Sequence, residues 1–331
     1  MAFTVIPLNN LLIPNGCVIP FGKTFVLKDV PGWVKREEAT APFSRHDVRG
    51  ILAANHALVA EYQASAMGEP DPEWTGSRPC SIQESRFQAA YLANIAIWLE
   101  VPSKLCFTVG LHASNKVEGG SASDTPFVLG TERADPFYCY PREEENIVTP
   151  DHLTKAAKFY GVLETIPRGN PVWAALRAFS GSLRSYYAEY RYPLFWQGLE
   201  SLFGSENEWY GINKRLRNRI SYFLADNPTS QKEISEMVED CYHVRGEIVH
   251  GRQALDSDYD DEKMEDVMEK TENIIRTVVR RILQKPDLLA VLLSSWRDEY
   301  LEKWVTSKMF TPPPVQPGSM PQKRKMAATS H

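Results

Sequence analysis

The spacing of apolar residues changes along the chain, and the changes predict its elements. Residues 1–30 carry short apolar runs broken by Pro7, Pro14, Pro20 and Gly22, a pattern of strands and turns. From Arg45 to Ala64, Val48, Ile51, Leu52, Leu58 and Val59 predict a helix. Residues 66–80 read as a loop. An Ala-rich helix with Phe87, Leu92, Ile95 and Ile97 is expected over Ile82–Leu99. A strand at 104–112 and a Gly/Ser loop at 118–126 follow.

Beyond residue 170 the period is helical throughout. Trp173, Leu176, Phe179 and Leu183 recur at spacings of three and four within residues 170–190. Leu194, Phe195, Leu199, Leu202 and Phe203 line one side of a helix over Tyr192–Phe203. Asn213–Leu224 is a short, strongly basic helix. The next helix is expected to open on Thr229 or Ser230 as N-cap, with Glu233 completing a capping box, and to close on Gly251. Asp260–Leu283 and Pro286–Val305 complete a bundle. The expected class is α+β: a mixed N-terminal domain over 1–165 with a sensing or regulatory role, and an all-helical domain over 170–305. Residues 306–331 read as a disordered tail, Pro-rich and then basic at Lys323, Arg324 and Lys325.

Composition narrows the function classes. The chain has 331 residues, 43% hydrophobic and 24% charged, which matches a globular protein with a substantial core. Its net charge is -5, so any contact with nucleic acid must come from local patches rather than bulk charge. Five cysteines without C-x-x-C spacing argue against a disulfide framework or a zinc site, and fit a reducing cytoplasm. No stretch reads as a signal peptide or a membrane span. Phosphate-binding loops, dinucleotide fingerprints, H-E-x-x-H, G-x-S-x-G and calcium-loop spacings are all absent, so no cofactor or metal is expected. The acidic stretch Asp256–Asp266 reads as a helix start complementing the dipole.

One segment carries chemistry: "YHVRGEIVHG", Tyr242–Gly251, with Arg245 five residues before His250. On an ideal helix Ile234, Met237, Val238, Val244 and Ile248 fall within roughly 60° of Cys241, forming a core-facing stripe. Arg245 falls inside that stripe, at about 40°. A guanidinium cannot shed its charge, so burial there demands a partner such as Glu200 or Glu247, or an aqueous cleft. His250 falls at about 180°, so the two side chains of one chain do not face each other on a regular helix. The structural reading is a salt-bridged Arg245, a His250 in the last turn where a cation suits the dipole, and a capping Gly251.

The surrounding segments add a resemblance. "FWQGLESLFG" (Phe195–Gly204), "NKRLRNRISYFL" (Asn213–Leu224) and "CYHVRGEIVHG" (Cys241–Gly251) resemble, in order and spacing, the ApeA-like branch of the HEPN superfamily. The similarity covers roughly residues 170–285. It implies a helical bundle that forms homodimers, and a metal-independent ribonuclease of the kind found in toxin or antiphage-defence systems. The motif's Arg and His fall on Arg245 and His250. The position after the motif's Arg, often polar in the family, is Gly246 here, with Glu247 as a partial substitute. Such a protein implies RNA as partner and an unidentified trigger or antitoxin.

The residue types suit that chemistry. Without a metal, RNA cleavage uses the 2′-OH as nucleophile. An imidazole takes that proton or protonates the leaving oxygen, and an Arg stabilises charge building on the phosphate. One His cannot easily do both transfers, and a two-fold dimer supplies a second. Glu200 and Tyr242 are supporting candidates, by pairing with Arg245 and stacking a base respectively. Lys214, Arg215, Arg217 and Arg219 are candidate phosphate contacts. A non-catalytic dimerisation or RNA/nucleotide-binding module remains the alternative. A scaffold acting through the N-terminal domain is a third.

Overall fold

The computed structural model describes residues 1–63, 69–71, 81–103, 105, 107, 109–115, 126–133, 147–205, 211–251, 261–310 and 312–313. The described part is α+β: an N-terminal antiparallel sheet followed by a helical region. The sheet contains β1 (Ala2–Leu8), β2 (Ile19–Phe21), β3 (Phe25–Asp29), β4 (His56–Tyr62), β5 (Val109–Ser114) and β6 (Phe127–Arg133). Its strand order is β2-β3-β4-β1-β5-β6. Helices α1 (Glu37–Thr40), α2 (Arg45–Ala53), α3 (Ile82–Glu100) and α4 (Pro150–Leu163) accompany it. The bundle adds α5 (Pro171–Arg184), α6 (Ala188–Phe203), α7 (Ile212–Leu224), α8 (Pro228–Val249), α9 (Asp261–Leu283), α10 (Pro286–Leu292) and α11 (Arg297–Ser307).

The central strands are buried on both faces, and alternation splits their side chains between two clusters. Ile6, Leu8, Leu58 and Ala60 face α3 and α4, whereas Val5, Ala57 and Val59 face Val34 and Ile51 on the other side. This explains one departure from the sequence reading. Arg45–Ala64 is not one helix: α2 stops at Ala53 and β4 begins at His56. A strand covered on both faces reads as an uninterrupted apolar run, which periodicity alone does not separate from a buried helix. The strand expected at 104–112 lies later, at Val109–Ser114. The loop at 118–126 lies outside the described residues except Pro126, as do most of residues 66–80.

Helix α3 joins the sheet to the bundle. Its apolar face covers the sheet while Trp98 and the carboxyl end meet α9, and one hydrophobic cluster runs from Ile6 through α3 to Trp304. Arg276 on α9 donates to the last carbonyls of α3, those of Trp98 (2.9 Å), Leu99 (3.2 Å) and Glu100 (3.0 Å). Deep beside it, the Arg191 guanidinium of α6 pairs with Glu272 of α9, which also accepts from the Trp98 indole at 3.2 Å. Burial pushes the Glu272 carboxyl above the ordinary carboxylate range, against the downward pull of Arg191 and Trp98.

Several boundaries in the bundle differ from expectation. Residues 170–190 do not form one helix: α5 ends at Arg184 and α6 starts at Ala188. The two pack closely at Gly198, where an added Cβ would lie 2.1 Å from Phe179 Cε1. The expected Pro286–Val305 helix is also two, α10 and α11, broken around Ser294–Trp296. The N-cap of α8 is Asn227, not Thr229 or Ser230. Its Oδ1 accepts from the Ser230 N–H at 2.9 Å, and Ser230 Oγ accepts from the Asn227 N–H at 3.3 Å. Pro228 then takes the first helical position, where its missing N–H costs nothing. Residues 306–310 and 312–313, expected to belong to the tail, are placed against the bundle. Trp304 Nε1 donates to the Met309 carbonyl, Phe310 stacks on Tyr222, and the Tyr300 hydroxyl donates to the Pro313 carbonyl at 3.0 Å. Lys323, Arg324 and Lys325 lie outside the described residues.

Two substitutions test this packing by urea unfolding. Glu272→Ala strands the Arg191 cation and is expected to cost about 3–5 kcal/mol, with the Arg191→Met/Glu272→Leu pair recovering most of it. A single-variant cost under ~1 kcal/mol would show that the pair is not what holds α6 to α9. Gly198→Ala is expected to cost about 1–3 kcal/mol, because the Phe179 ring must move.

Candidate functional site

Helix α8 carries Tyr242, Arg245 and Glu247, and ends at His250. The expected stripe holds it in place: Val238, Cys241 and Val244 are buried, with Ile234, Met237 and Ile248 packed against the same core. Tyr192 of α6 fixes the contact, since its hydroxyl donates to the Cys241 carbonyl at 2.7 Å and accepts from Thr271 on α9 at 3.2 Å.

Arg245 emerges at the edge of that stripe with its side chain 25% exposed. Its Nη2 lies 3.3 Å from Glu200 Oε1, and Tyr242 donates its hydroxyl to the same oxygen at 3.1 Å. The guanidinium carbon sits 5.6 Å from the centre of the Tyr242 ring. Trp196, one turn before Glu200 on α6, meets the Tyr242 ring edge-on at 5.0 Å. Burial pushes the Tyr242 hydroxyl up to about 12, the Glu200 carboxylate adds to the shift, and Arg245 opposes it. Glu200, Tyr242 and Arg245 therefore form one cluster joining α6 and α8. Among the described residues Arg245 Nε is buried without a hydrogen-bond partner.

His250 is the C-cap of α8, with backbone near the helical region, and its side chain is exposed. Gly251 follows at φ +61° and donates its N–H to the Ile248 carbonyl at 3.1 Å, the expected left-handed cap. On an ideal helix Arg245, Val249, Tyr242, Gly246 and His250 succeed one another around about 140° of the surface. Val249 is 47% exposed, and a Cβ added to Gly246 would meet nothing within 4 Å. Glu247 points elsewhere. It stands 3.7 Å from His243 and lines the groove between α8 and α9 with Asp266 and Lys270.

The basic helix α7 divides by environment. Lys214 is exposed and Arg215 half-buried. Arg217 pairs with Glu239 of α8 at 2.5 Å. Arg219 corrects the expectation of a phosphate contact, since it is 4% exposed. It donates to the Phe203 carbonyl at 2.9 Å and pairs with Asp298 at 2.5 Å and Glu302 at 3.3 Å. Against the upward push of burial, the Ser205 hydroxyl and Arg219 hold the Asp298 carboxyl below its ordinary range.

Sequence reasoning missed Trp196. Its position four residues before Glu200 put it on the same face, and that spacing was the available signal. Among the described residues no three His, Cys, Asp or Glu side chains gather as a metal site, and no helix is long and apolar enough to cross a membrane. Cys17 and Cys241 are free thiols. Comparison of the chain with protein-family models, with curated proteins and with solved structures finds no match.

The cluster is held by geometry that substitution can dissect. Tyr242→Phe keeps the ring on Trp196 and removes the hydroxyl, so it is expected to cost about 1 kcal/mol in urea unfolding. Glu200→Gln keeps an acceptor and loses the charge, for about 0.2–1 kcal/mol that shrinks further in high salt.

Proposed function

We propose that this chain is a metal-independent endoribonuclease whose active surface is the open face of α8 carrying Arg245 and His250. The observation that carries this reading is that His250 is exposed and, among the described residues, makes no side-chain hydrogen bond or ion pair. On an ideal helix it lies about 140° around α8 from the partly exposed Arg245, so the pair is completed across a two-fold contact in which Arg245 of one copy meets His250 of the other. Glu200 and Tyr242 position that Arg. His250 takes the 2′-OH proton or protonates the leaving 5′ oxygen, and Arg245 neutralises charge on the phosphorane oxygens. A second copy packed on this face, over exposed Val249 and the open surface at Gly246, supplies a second imidazole for the other proton transfer. Lys214 is available to hold the phosphate backbone. The resemblance of residues 170–285 to ApeA-like HEPN domains supports the same assignment and a role in toxin or antiphage defence.

One feature favours a second reading. Arg245 is already paired with Glu200 inside one chain, which suits a non-catalytic dimerisation or RNA-binding module. A single assay separates the two. Wild-type protein with chelator present is expected to cleave single-stranded RNA, leaving 2′,3′-cyclic phosphate ends. His250→Ala and Arg245→Ala should each lose at least about a hundredfold in rate while still binding RNA. Equal cleavage by His250→Ala and wild type refutes the assignment. RNA binding with no cleavage by any of the three supports the module.

A further inference from the structure

A cleft of about 750 Å³ opens between the β2–β3 turn, α3, the α4–α5 connection and α5. It shares no residue with the Arg245–His250 face. Its volume falls in the range that encloses a ligand of nucleotide size. Five cations line it: Lys23, Arg86, Arg168, Arg177 and Arg184. Among the described residues two carboxylates line it as well, Glu164 and Asp71, which leaves a local surplus of three positive charges in a chain of net charge -5.

Glu164 is committed to the β2–β3 turn, accepting from the Lys23 N–H at 2.8 Å and the Thr24 hydroxyl at 3.2 Å. Asp71 is buried, 7% exposed. Arg86 and Arg177 make no side-chain hydrogen bond or ion pair among the described residues, and the Lys23 ammonium makes none either. Two more guanidiniums lie over rings, Arg184 at 4.7 Å from the centre of Tyr91 and Arg168 at 5.0 Å from the centre of Trp173. Each ring orders the guanidinium over it, and Arg184 Nε also donates to the Ser180 carbonyl at 3.3 Å. The hydroxyl of Tyr160, fully buried beside the same cleft, has no hydrogen-bond partner.

Convergent cations from four separate segments, two of them ordered by aromatic rings, exceed what solubility requires. We propose that this cleft binds a phosphate-bearing ligand of mononucleotide size. Arg86, Arg177 and Lys23 take the phosphate, while the guanidiniums ordered by the rings present planar surfaces to the base. A lone phosphate would leave most of the volume and both ring–guanidinium pairs unused.

Calorimetric titration of the full chain with AMP, ATP, adenosine and inorganic phosphate tests this. AMP or ATP should bind saturably, with adenosine and inorganic phosphate each at least about tenfold weaker. Arg86→Gln and Arg177→Gln, whose thermal unfolding should match wild type, should each weaken the nucleotide about tenfold or more. Adenosine binding as tightly as AMP, phosphate binding as tightly as AMP, or unaltered affinity in both variants would overturn the proposal. So would the absence of saturable nucleotide binding up to ~10 mM, far weaker than a site of this size and charge provides. A single-stranded RNA oligomer that binds far more tightly than AMP, and is lost in the same variants, would overturn it in favour of a nucleic-acid groove.

Discussion

A charge pair taken out of water holds the two halves of this chain together. Arg191 on α6, Glu272 on α9 and the Trp98 indole on α3 meet where three elements cross, and neither ionic side chain is more than 4% exposed. Such a group is worth little against a well-packed apolar substitute, but it is intolerant of register error. A helix displaced by one residue leaves a buried charge unanswered. The pair therefore acts on uniqueness: it dictates which turn of α9 lies against the carboxyl end of α3. Arg276, one turn further along α9, accepts no other arrangement once its guanidinium closes the last carbonyls of α3. The sheet is thus attached to the bundle by polar groups as well as by apolar contact.

From that junction the geometry propagates to both candidate surfaces. Helix α6 carries Arg191 near its start and Glu200 near its end, so fixing the first turn fixes where the carboxylate meets Tyr242 and Arg245. Helix α5 lies along α6 with Phe179 seated on Gly198, and its outer side forms a wall of the cationic cleft. The α5–α6 pair therefore has one edge at each surface, and a shift of either helix would be felt at both.

Much of this was legible in the order of residues, and the exceptions have physical reasons. The stripe of α8 could be computed before any coordinate, because a 3.6-residue period and one apolar face suffice. The oddity of Arg245 followed from it, and so did its need of a partner, expected in Glu200 or Glu247 and supplied by Glu200. Strand β4 was hidden because covering both faces removes the alternation that identifies a strand. The cap of α8 was misplaced by two or three residues because Asn227, Thr229 and Ser230 all suit a cap, and only the backbone decides which carries it. The breaks at Ser185–Tyr187 and around Ser294–Trp296 have no Gly or Pro to announce them. The cationic cleft was not legible at all, since Lys23, Arg86 and the Arg168–Arg184 stretch are far apart in the chain.

Arg219 shows how a basic helix can mislead an experiment. It lies among Lys214, Arg215 and Arg217, and a charge-removal scan of α7 would group the four together. Its guanidinium, however, braces the carboxyl end of α6: it holds the Phe203 carbonyl and ties it to α11 through Asp298. Glu200 lies less than one turn away. Neutralising Arg219 would loosen the turn that carries Glu200, and any activity lost would mimic a missing RNA contact with no phosphate ever touching the side chain.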